Sequence, residues 1–373
     1  MNRNAGLMNS DTDWPRRLNG KAAQARLPIS ATLELTRRCN LRCRHCYLGD
    51  QAEQHKQRAL ERDTEAVKTS LREWAEAGVL YLLITGGDPM MRRDFSEIYR
   101  QAREYGMVVT VFCDGILVTD RIVELFKELP PRRVGISIYG ATAKTYEHIT
   151  RIPGSYARAW NGIRRLLDAG IRVELKTILM TLNEQEREAM AAQAADWGVV
   201  FRHDTAIFPC LPDGSTQPLD LRVTPEQAVA HDMADPKRRA QWRNVIETLE
   251  KTSAGDRLYT CGAGASHFYC DPYGNLSPCL ITTRYRYAQG DRPFHELWRD
   301  ELSEIRKKRR TRSDTLLAGP LRGACAHCPA MNYLENGDEE QESDFMRKTT
   351  LLRHQTARRI PAKGAPYAEK ERT

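Results

Sequence analysis

Residues 31–46 read Ala-Thr-Leu-Glu-Leu-Thr-Arg-Arg-Cys-Asn-Leu-Arg-Cys-Arg-His-Cys, an apolar and β-branched run followed by three cysteines within eight positions. The first half has the composition of a β-strand. The second half places Cys39, Cys43 and Cys46 in the loop just after it, which is where a parallel barrel puts its chemistry. The number three matters. A cubane iron–sulfur cluster is normally held by four thiolates, so three leave one iron open to an external ligand. The competing reading is a zinc knuckle of three cysteines completed by His45.

Outward from that loop the same rhythm repeats. Strands are expected at Ala31–Thr36, Leu80–Thr85, Met107–Cys113, Arg133–Ile138, Arg172–Thr177 and Val199–His203. Helical patterns lie between them at Asp63–Ala77, Asp94–Tyr105, Asp120–Leu129, Tyr156–Ala169 and Glu184–Trp197. Four of these close on a glycine, Gly78, Gly106, Gly170 or Gly198, where a left-handed backbone costs little. Strands joined by helical crossovers predict an α/β fold with a parallel sheet, covered on both faces or curled into a barrel. The rhythm breaks near residue 205. Pro209–Pro218 is turn-rich, and helices are expected over Thr224–Ala234 and Lys237–Lys251. A cysteine-bearing region, Cys261–Cys328, follows, with an Asp271-Pro272-Tyr273-Gly274 turn between short strands. Further helices are expected around Phe294–Arg310 and Glu339–Arg358, and the last fifteen residues have the composition of a disordered tail.

No window reaches the ~18 consecutive apolar residues of a membrane span, and no secretory signal opens the chain, so a cytoplasmic protein without a membrane partner is expected. The formal net charge is +8, with a basic run at Arg306–Arg310. That run is either a solvated helix face or a docking surface for an acidic peptide or nucleic acid. In a reducing compartment, ten cysteines point to metal or catalysis rather than disulfides. Eight of them cluster; Cys113 and Cys210 stand alone and are expected to pack as small apolar residues.

Cys39-Asn40-Leu41-Arg42-Cys43-Arg44-His45-Cys46 resembles the CxxxCxΦC signature of the radical S-adenosylmethionine (SAM) superfamily, with His45 at the usually aromatic position. Gly86-Gly87-Asp88-Pro89 resembles that family's GGEP element, with Asp for Glu. The resemblance covers about residues 31–205 and implies a partial (β/α)6 TIM-like barrel. It also implies a [4Fe–4S] cluster on the three cysteines, whose open iron chelates the amino and carboxylate groups of SAM. Reductive cleavage of SAM then gives methionine and a 5′-deoxyadenosyl radical. Carried over residue by residue, the SAM contacts are expected at His45 (through its backbone), Gly86, Gly87, Asp88 (toward the methionine ammonium), Asp114 (near the ribose), and Ser137 with Arg158 (at the carboxylate). Arg151 competes for the last role, and Lys176 is expected at the same mouth. The planar fork of arginine suits a carboxylate.

Cys261, Gly274 and Cys279, followed by Cys325-x2-Cys328-Pro329, resemble the SPASM extension, a smaller C-terminal module that carries auxiliary [4Fe–4S] clusters. Nothing after Cys328 supplies the further thiols of a two-cluster module, so one auxiliary cluster is expected, on Cys261, Cys279, Cys325 and Cys328, with Cys270 in reserve. Four cysteines also make a zinc ribbon, which is the alternative here. The organisation that results is an N-terminal extension (1–30), core barrel (31–208), helical linker (209–255), auxiliary-cluster domain (256–358) and tail (359–373).

Relatives with this extension chiefly modify peptides and proteins. The resemblance therefore implies hydrogen abstraction from a ribosomally synthesised peptide leading to a cross-link, epimerisation or backbone excision. It also implies an electron donor such as flavodoxin or ferredoxin. About thirty residues before the first strand are too few for a leader-recognition domain, so a separate leader-binding partner is expected. A small-molecule or RNA substrate is the second reading, with RNA disfavoured because the basic run lacks aromatic platforms. A zinc-bound structural protein is the third.

Overall fold

The computed structural model describes residues 14–249, 255–290, 292–312 and 328–358. The six expected strands form with their ends moved by one or two residues: β1 (Ser30–Glu34), β2 (Tyr81–Thr85), β3 (Val108–Cys113), β4 (Arg133–Ser137), β5 (Val173–Ile178) and β6 (Val200–Asp204). Consecutive strands pair in parallel, in the order β6-β5-β4-β3-β2-β1, which is the partial barrel expected. β1 ends early because its ladder stops at Leu35, whose N–H still bonds Thr85 O (2.9 Å). Beyond that point the chain turns to meet the loop after β2.

Thirteen α-helices are described. In chain order they are α1 (Trp14–Ala25), α2 (Gln51–Lys56), α3 (Thr64–Glu76), α4 (Phe95–Glu104), α5 (Asp120–Glu128), α6 (Ala143–Thr150), α7 (Ser155–Asp168) and α8 (Arg187–Asp196). Then come α9 (Pro225–Ala234), α10 (Pro236–Leu249), α11 (Phe294–Leu297), α12 (Pro329–Asn336) and α13 (Asp344–Arg358). The amphipathic crossovers start where their capping residues stand: the Asp63 carboxylate accepts from Ala66 N–H at the start of α3, and Thr224 forms a capping box with Gln227 at the start of α9. The four helix-ending glycines take the left-handed backbone expected of them. No helix among the described residues is long and apolar enough to cross a membrane.

The cysteine-bearing region is built onto the barrel rather than beside it. Its first strand, β7 (His267–Cys270), pairs in parallel with β1, and β8 (Asn275–Ser277) and β9 (Tyr287–Ala288) follow antiparallel, so the sheet has nine strands. The Asp271–Gly274 turn forms between β7 and β8, with Asp271 Oδ1 accepting from Tyr273 and Asn275 N–H. One core runs through both parts. Trp74 of α3 meets Phe268 of β7 edge-on, with ring centroids 5.1 Å apart, and Phe268 packs on Phe294 at 4.7 Å. The indole of Trp298 donates to Arg26 O (2.7 Å) and ties down α1, a helix the sequence reading did not foresee.

Two expectations change. The single helix over Phe294–Arg310 is instead α11, a π-turn at Trp298–Leu302 and a 3₁₀ turn at Glu304–Lys307. It breaks because the chain straightens at Lys308 to take Leu258 N–H on its carbonyl (3.0 Å). The basic run Arg306–Arg310 is therefore not the face of one helix, and its cations have local partners while Lys307 and Arg309 stay exposed. Arg306 donates to Cys261 O and Arg310 to Gly255 O, while Lys307 pairs with Glu304, Lys308 with Glu339 and Arg309 with Asp256. The helix expected around Glu339–Arg358 forms as α13, starting at Asp344, and α12, which the sequence reading did not foresee, precedes it and ends on Gly337 in the left-handed region. The C-terminal fifteen residues and Cys325 lie outside the described residues.

Candidate active site

The loop after β1 is held against the loop after β2 chiefly by backbone, with Arg92 Nη1 adding a bond to Leu35 O (3.4 Å). Gly87 N–H bonds Thr36 O (2.8 Å) and Asp88 N–H bonds Arg38 O (2.9 Å). A Cβ on Gly86 would stand 2.3 Å from Thr36 O, and one on Gly87 would stand 2.4 Å from Arg38 O. Only glycine lets the two strand ends touch, and this contact sets the origin of the cysteine loop. Farther on, Arg42 and Arg44 N–H bond the carbonyls of Thr150 and Ile149 at the end of α6 (both 3.0 Å), and the Gln51 side chain accepts from Cys39 N–H (2.7 Å).

So fixed, Cys39, Cys43 and Cys46 line one cavity of about 150 Å³, together with Gly86, Gly87, Asp114, Ser137 and Lys176 from the ends of β2 to β5. Burial pushes all three thiols up, Cys46 to about 11. Cys39 and Cys43 are raised further by one another's neighbours in the triad and by the Asp114 carboxylate. Buried thiols that repel one another are poor isolated anions and good ligands for a shared multivalent cation. The donor set fits a cluster on three thiolates.

The remaining expected residues divide. Ser137 and Lys176 pair across β4 and β5 and both face the cavity. Asp114 lines it with Oδ1 accepting from Ile116 N–H (2.8 Å), while Oδ2 is buried beside Asn40 with no hydrogen-bond partner among the described residues. An orphaned carboxylate oxygen at that depth fits a ligand hydroxyl. His45 lines the cavity too, edge-on to Tyr139 (4.8 Å), and burial holds its ring neutral, pushed down to about 4.

Asp88 differs from expectation. It is fully buried, and its carboxylate is spent on Met90 N–H (2.8 Å) and Asp114 N–H (3.0 Å), so it braces the strand ends instead of reaching for an ammonium. Arg158 is exposed near the start of α7, its Nε donating to Gly154 O (3.3 Å), and it acts on Asp114 only through its charge. Arg151, its competitor, is exposed and takes a left-handed backbone at the end of α6. Neither guanidinium lines the cavity.

Two cysteines assigned to packing are nearer the chemistry than their isolation in sequence suggested. Cys113 lines the cavity wall, and Cys210 Sγ lies 3.5 Å from Cys46 O beneath the loop. The position of Cys113 just before Asp114 was the available signal; for Cys210 there was none.

A second, larger cavity of about 770 Å³ shares His45, Tyr47, Ser137, Tyr139 and Lys176 with the first and extends past the end of β5 to β6 and α10. Among its lining residues, Phe201, His203 and Arg238 had no signature in the sequence.

In the C-terminal module, Cys261, Cys279 and Cys328 lie near enough for their charges to act on one another. Burial pushes Cys279 up to about 12, with Cys328 and Cys261 adding to it, and Cys328 is raised by burial and by Cys261. Cys270 is elsewhere: it is buried in β7 and accepts from Arg62 Nη2 (3.2 Å). Its reserve role therefore loses its geometric basis. Cys270→Ala is expected to leave bound iron unchanged, whereas Cys279→Ala is expected to lose about four irons per chain, read by iron and sulfide analysis.

The family profile described as the Radical SAM superfamily matches residues 33–194. The chain is 26% identical over 350 residues to the AdoMet-dependent heme synthase of Methanosarcina barkeri, covering 87% of this chain and 97% of that one. It is 25% identical over 332 residues to the mycofactocin maturase MftC of Mycolicibacterium smegmatis, covering 83% and 78%. Among solved structures it resembles Streptococcus suis SuiB bound to the precursor peptide SuiA, with a TM-score of 0.67 at 15% identity over 93% of this chain and 83% of that one.

Proposed function

Since the chain belongs to the radical SAM superfamily and is a SAM-dependent enzyme, we propose that it abstracts a hydrogen atom from a ribosomally synthesised peptide as the first step of its modification. Cys39, Cys43 and Cys46 hold the [4Fe–4S] cluster in this reading. That cluster, when bound, supplies the electron that cleaves SAM to a 5′-deoxyadenosyl radical. The protein's part is to place SAM and keep water out. Gly86 and Gly87 bring backbone close to the amino-acid end of SAM, Asp114 Oδ2 accepts from a ribose hydroxyl, and Ser137 and Lys176 face its carboxylate. Arg158 adds charge from outside the cavity, and Asp88 holds Asp114 in place. Cys261, Cys279 and Cys328, with Cys325, hold one auxiliary cluster. The setting is cytoplasmic, with a separate leader-binding protein delivering the peptide.

The observation that carries the peptide reading is the course of the larger cavity. It leaves the cysteine loop and runs along β6, the sheet's terminal strand. Asp204 O faces β5, where it accepts from Leu179 N–H (2.7 Å), so alternation along the strand turns the N–H and C=O of Phe201 and His203 to the free edge. An extended peptide added there pairs its backbone with β6 and carries a side chain toward the cluster. The names of relatives supply a second reading, a tetrapyrrole whose propionates meet Lys176 and Arg238.

One experiment separates the two. Reduced enzyme with SAM is given fractions of deuterium-labelled cell extract, and deuterium is sought in 5′-deoxyadenosine. Transfer from the peptide fraction that disappears after protease treatment supports the peptide. Transfer only from a protease-resistant, pigmented fraction replaces it with the tetrapyrrole.

A further inference from the structure

The reaction consumes an electron that this chain's amino acids do not supply, so a reductant must approach the cluster from outside. We propose that it does so at one surface: the arginine-lined depression beside Cys39 is the docking site of an acidic one-electron carrier protein. The depression, about 410 Å³, is lined by Arg38, Arg58, Arg62, Arg92 and Arg93 and by two carboxylates, Glu61 and Asp94, which leaves a surplus of three positive charges.

The arginines do different things. Arg38 forks onto Glu61 (3.0 Å from both Nε and Nη2), and Arg92 forks onto Asp94 (2.9 Å from Nε and 2.5 Å from Nη2). Arg62 turns inward, to Ser70 Oγ (2.7 Å) and Cys270 Sγ (3.2 Å). These three are braced parts of the wall. Arg58 and Arg93 are exposed and have no ion-pair partner among the described residues. Leu60 stands on the same 3₁₀ turn as Arg58, Gln57–Leu60, with two-thirds of its surface in water (66%). An exposed apolar residue flanked by free guanidinium groups is the make-up of a transient, electrostatically steered interface.

Its position gives the surface its use. Arg38 is covalently adjacent to Cys39, so the wall of the depression and the first cluster ligand are one peptide apart. The segment that covers Cys39 is also the segment that forms the rim: α2 supplies Gln51 to the Cys39 amide, and the turn continuing from it carries Arg58 and Leu60. A carrier seated here loses one electron and the cluster gains it, with no proton or atom exchanged. The substrate cavity does not include any residue of this surface, so a carrier and a substrate can be bound together. Nucleic acid is a poor match, because no aromatic ring lines the depression. This inference is independent of whether the substrate is a peptide.

The test is the double variant R58E/R93E, with R299E as a control for charge reversal away from the depression, since Arg299 is exposed and pairs with its neighbour Asp300. A flavodoxin carrying flavin mononucleotide is titrated into the cluster-loaded protein, and its dissociation constant is followed with ionic strength. Cluster reduction is then timed with reduced flavodoxin and, separately, with dithionite. The expected result is binding weakened about tenfold or more in R58E/R93E at low salt, with the difference closing as salt shortens the Debye length toward about 8 Å. Reduction by flavodoxin slows by a similar factor, while dithionite reduces the variant as fast as the parent. Unchanged flavodoxin binding, equal slowing with dithionite, or equal weakening in R299E overturns the proposal.

Discussion

Replacing Cys39, Cys43 and Cys46 together by alanine is expected to abolish SAM cleavage while the chain keeps its fold and about half of its iron. The loop is anchored by bonds that do not use sulfur: Arg42 and Arg44 N–H to the end of α6, Gln51 to Cys39 N–H, and the strand-end contacts of Gly87 and Asp88. Removing three small side chains costs packing and the Leu41 N–H bond to Cys39 Sγ (3.4 Å) but none of these anchors, so the thermal unfolding of the metal-free variant should stay within a few degrees of the parent. No substitute ligand set stands ready. Cys113 is fixed on β3 at the far wall, and His45 alone cannot replace three thiolates. Loss of about four irons and of all 5′-deoxyadenosine, with the remaining iron still held by the C-terminal cysteines, is the measured signature. Unchanged iron in the triple variant would remove the cluster from this loop.

The barrel was legible because its evidence is local. Buried parallel strands such as Val108–Cys113 carry apolar and β-branched runs, and helices that end at Gly78 or Gly170 announce their own boundaries. The triad was legible because spacing within one loop survives folding. What was hidden depends on partners far apart in the chain. β7 meets β1 at a separation of more than two hundred residues, and nothing in His267–Cys270 says which strand it will join. Asp88 looked like a ligand-facing carboxylate until the amides of Met90 and Asp114 were found to occupy it. Cys270 could stand in reserve as a ligand in the sequence, but in the fold Arg62 occupies its sulfur. A basic run like Arg306–Arg310 reads as unpaired charge when the acids that pair with it lie on other segments. In each case the residue type was right for the expected role, and a distant partner had already claimed it.

Lys176 carries the second large effect, and it is a pH effect. Its Nζ sits 3.2 Å from the centroid of the Phe112 ring, at the junction of the two cavities. Burial pushes its pKa down from 10.5 to about 7, with Cys113 and Glu174 pulling part of the way back. Between pH 7 and 10.5 the unfolded chain therefore binds more protons at this position than the folded one, and stability rises with pH across that window. Below pH 7 both states are protonated, the slope vanishes and the full cost of the buried ammonium remains. Lys176→Met removes that cost. The metal-free variant should be more stable than the parent by about 2 to 4 kcal/mol near pH 6, by less at pH 9, and by nothing attributable to this charge above 10.5. Thermal melts across pH 6 to 9 read the convergence; a gain that is flat with pH would mean that the methionine only packs better. The same variant reports what the charge is for. An anion bound in the smaller cavity stabilises the ammonium, so losing it should weaken SAM binding about tenfold, close to 1.4 kcal/mol. If the melts converge as expected and SAM affinity is unmoved, the charge serves the larger cavity, and the anion it meets belongs to the substrate.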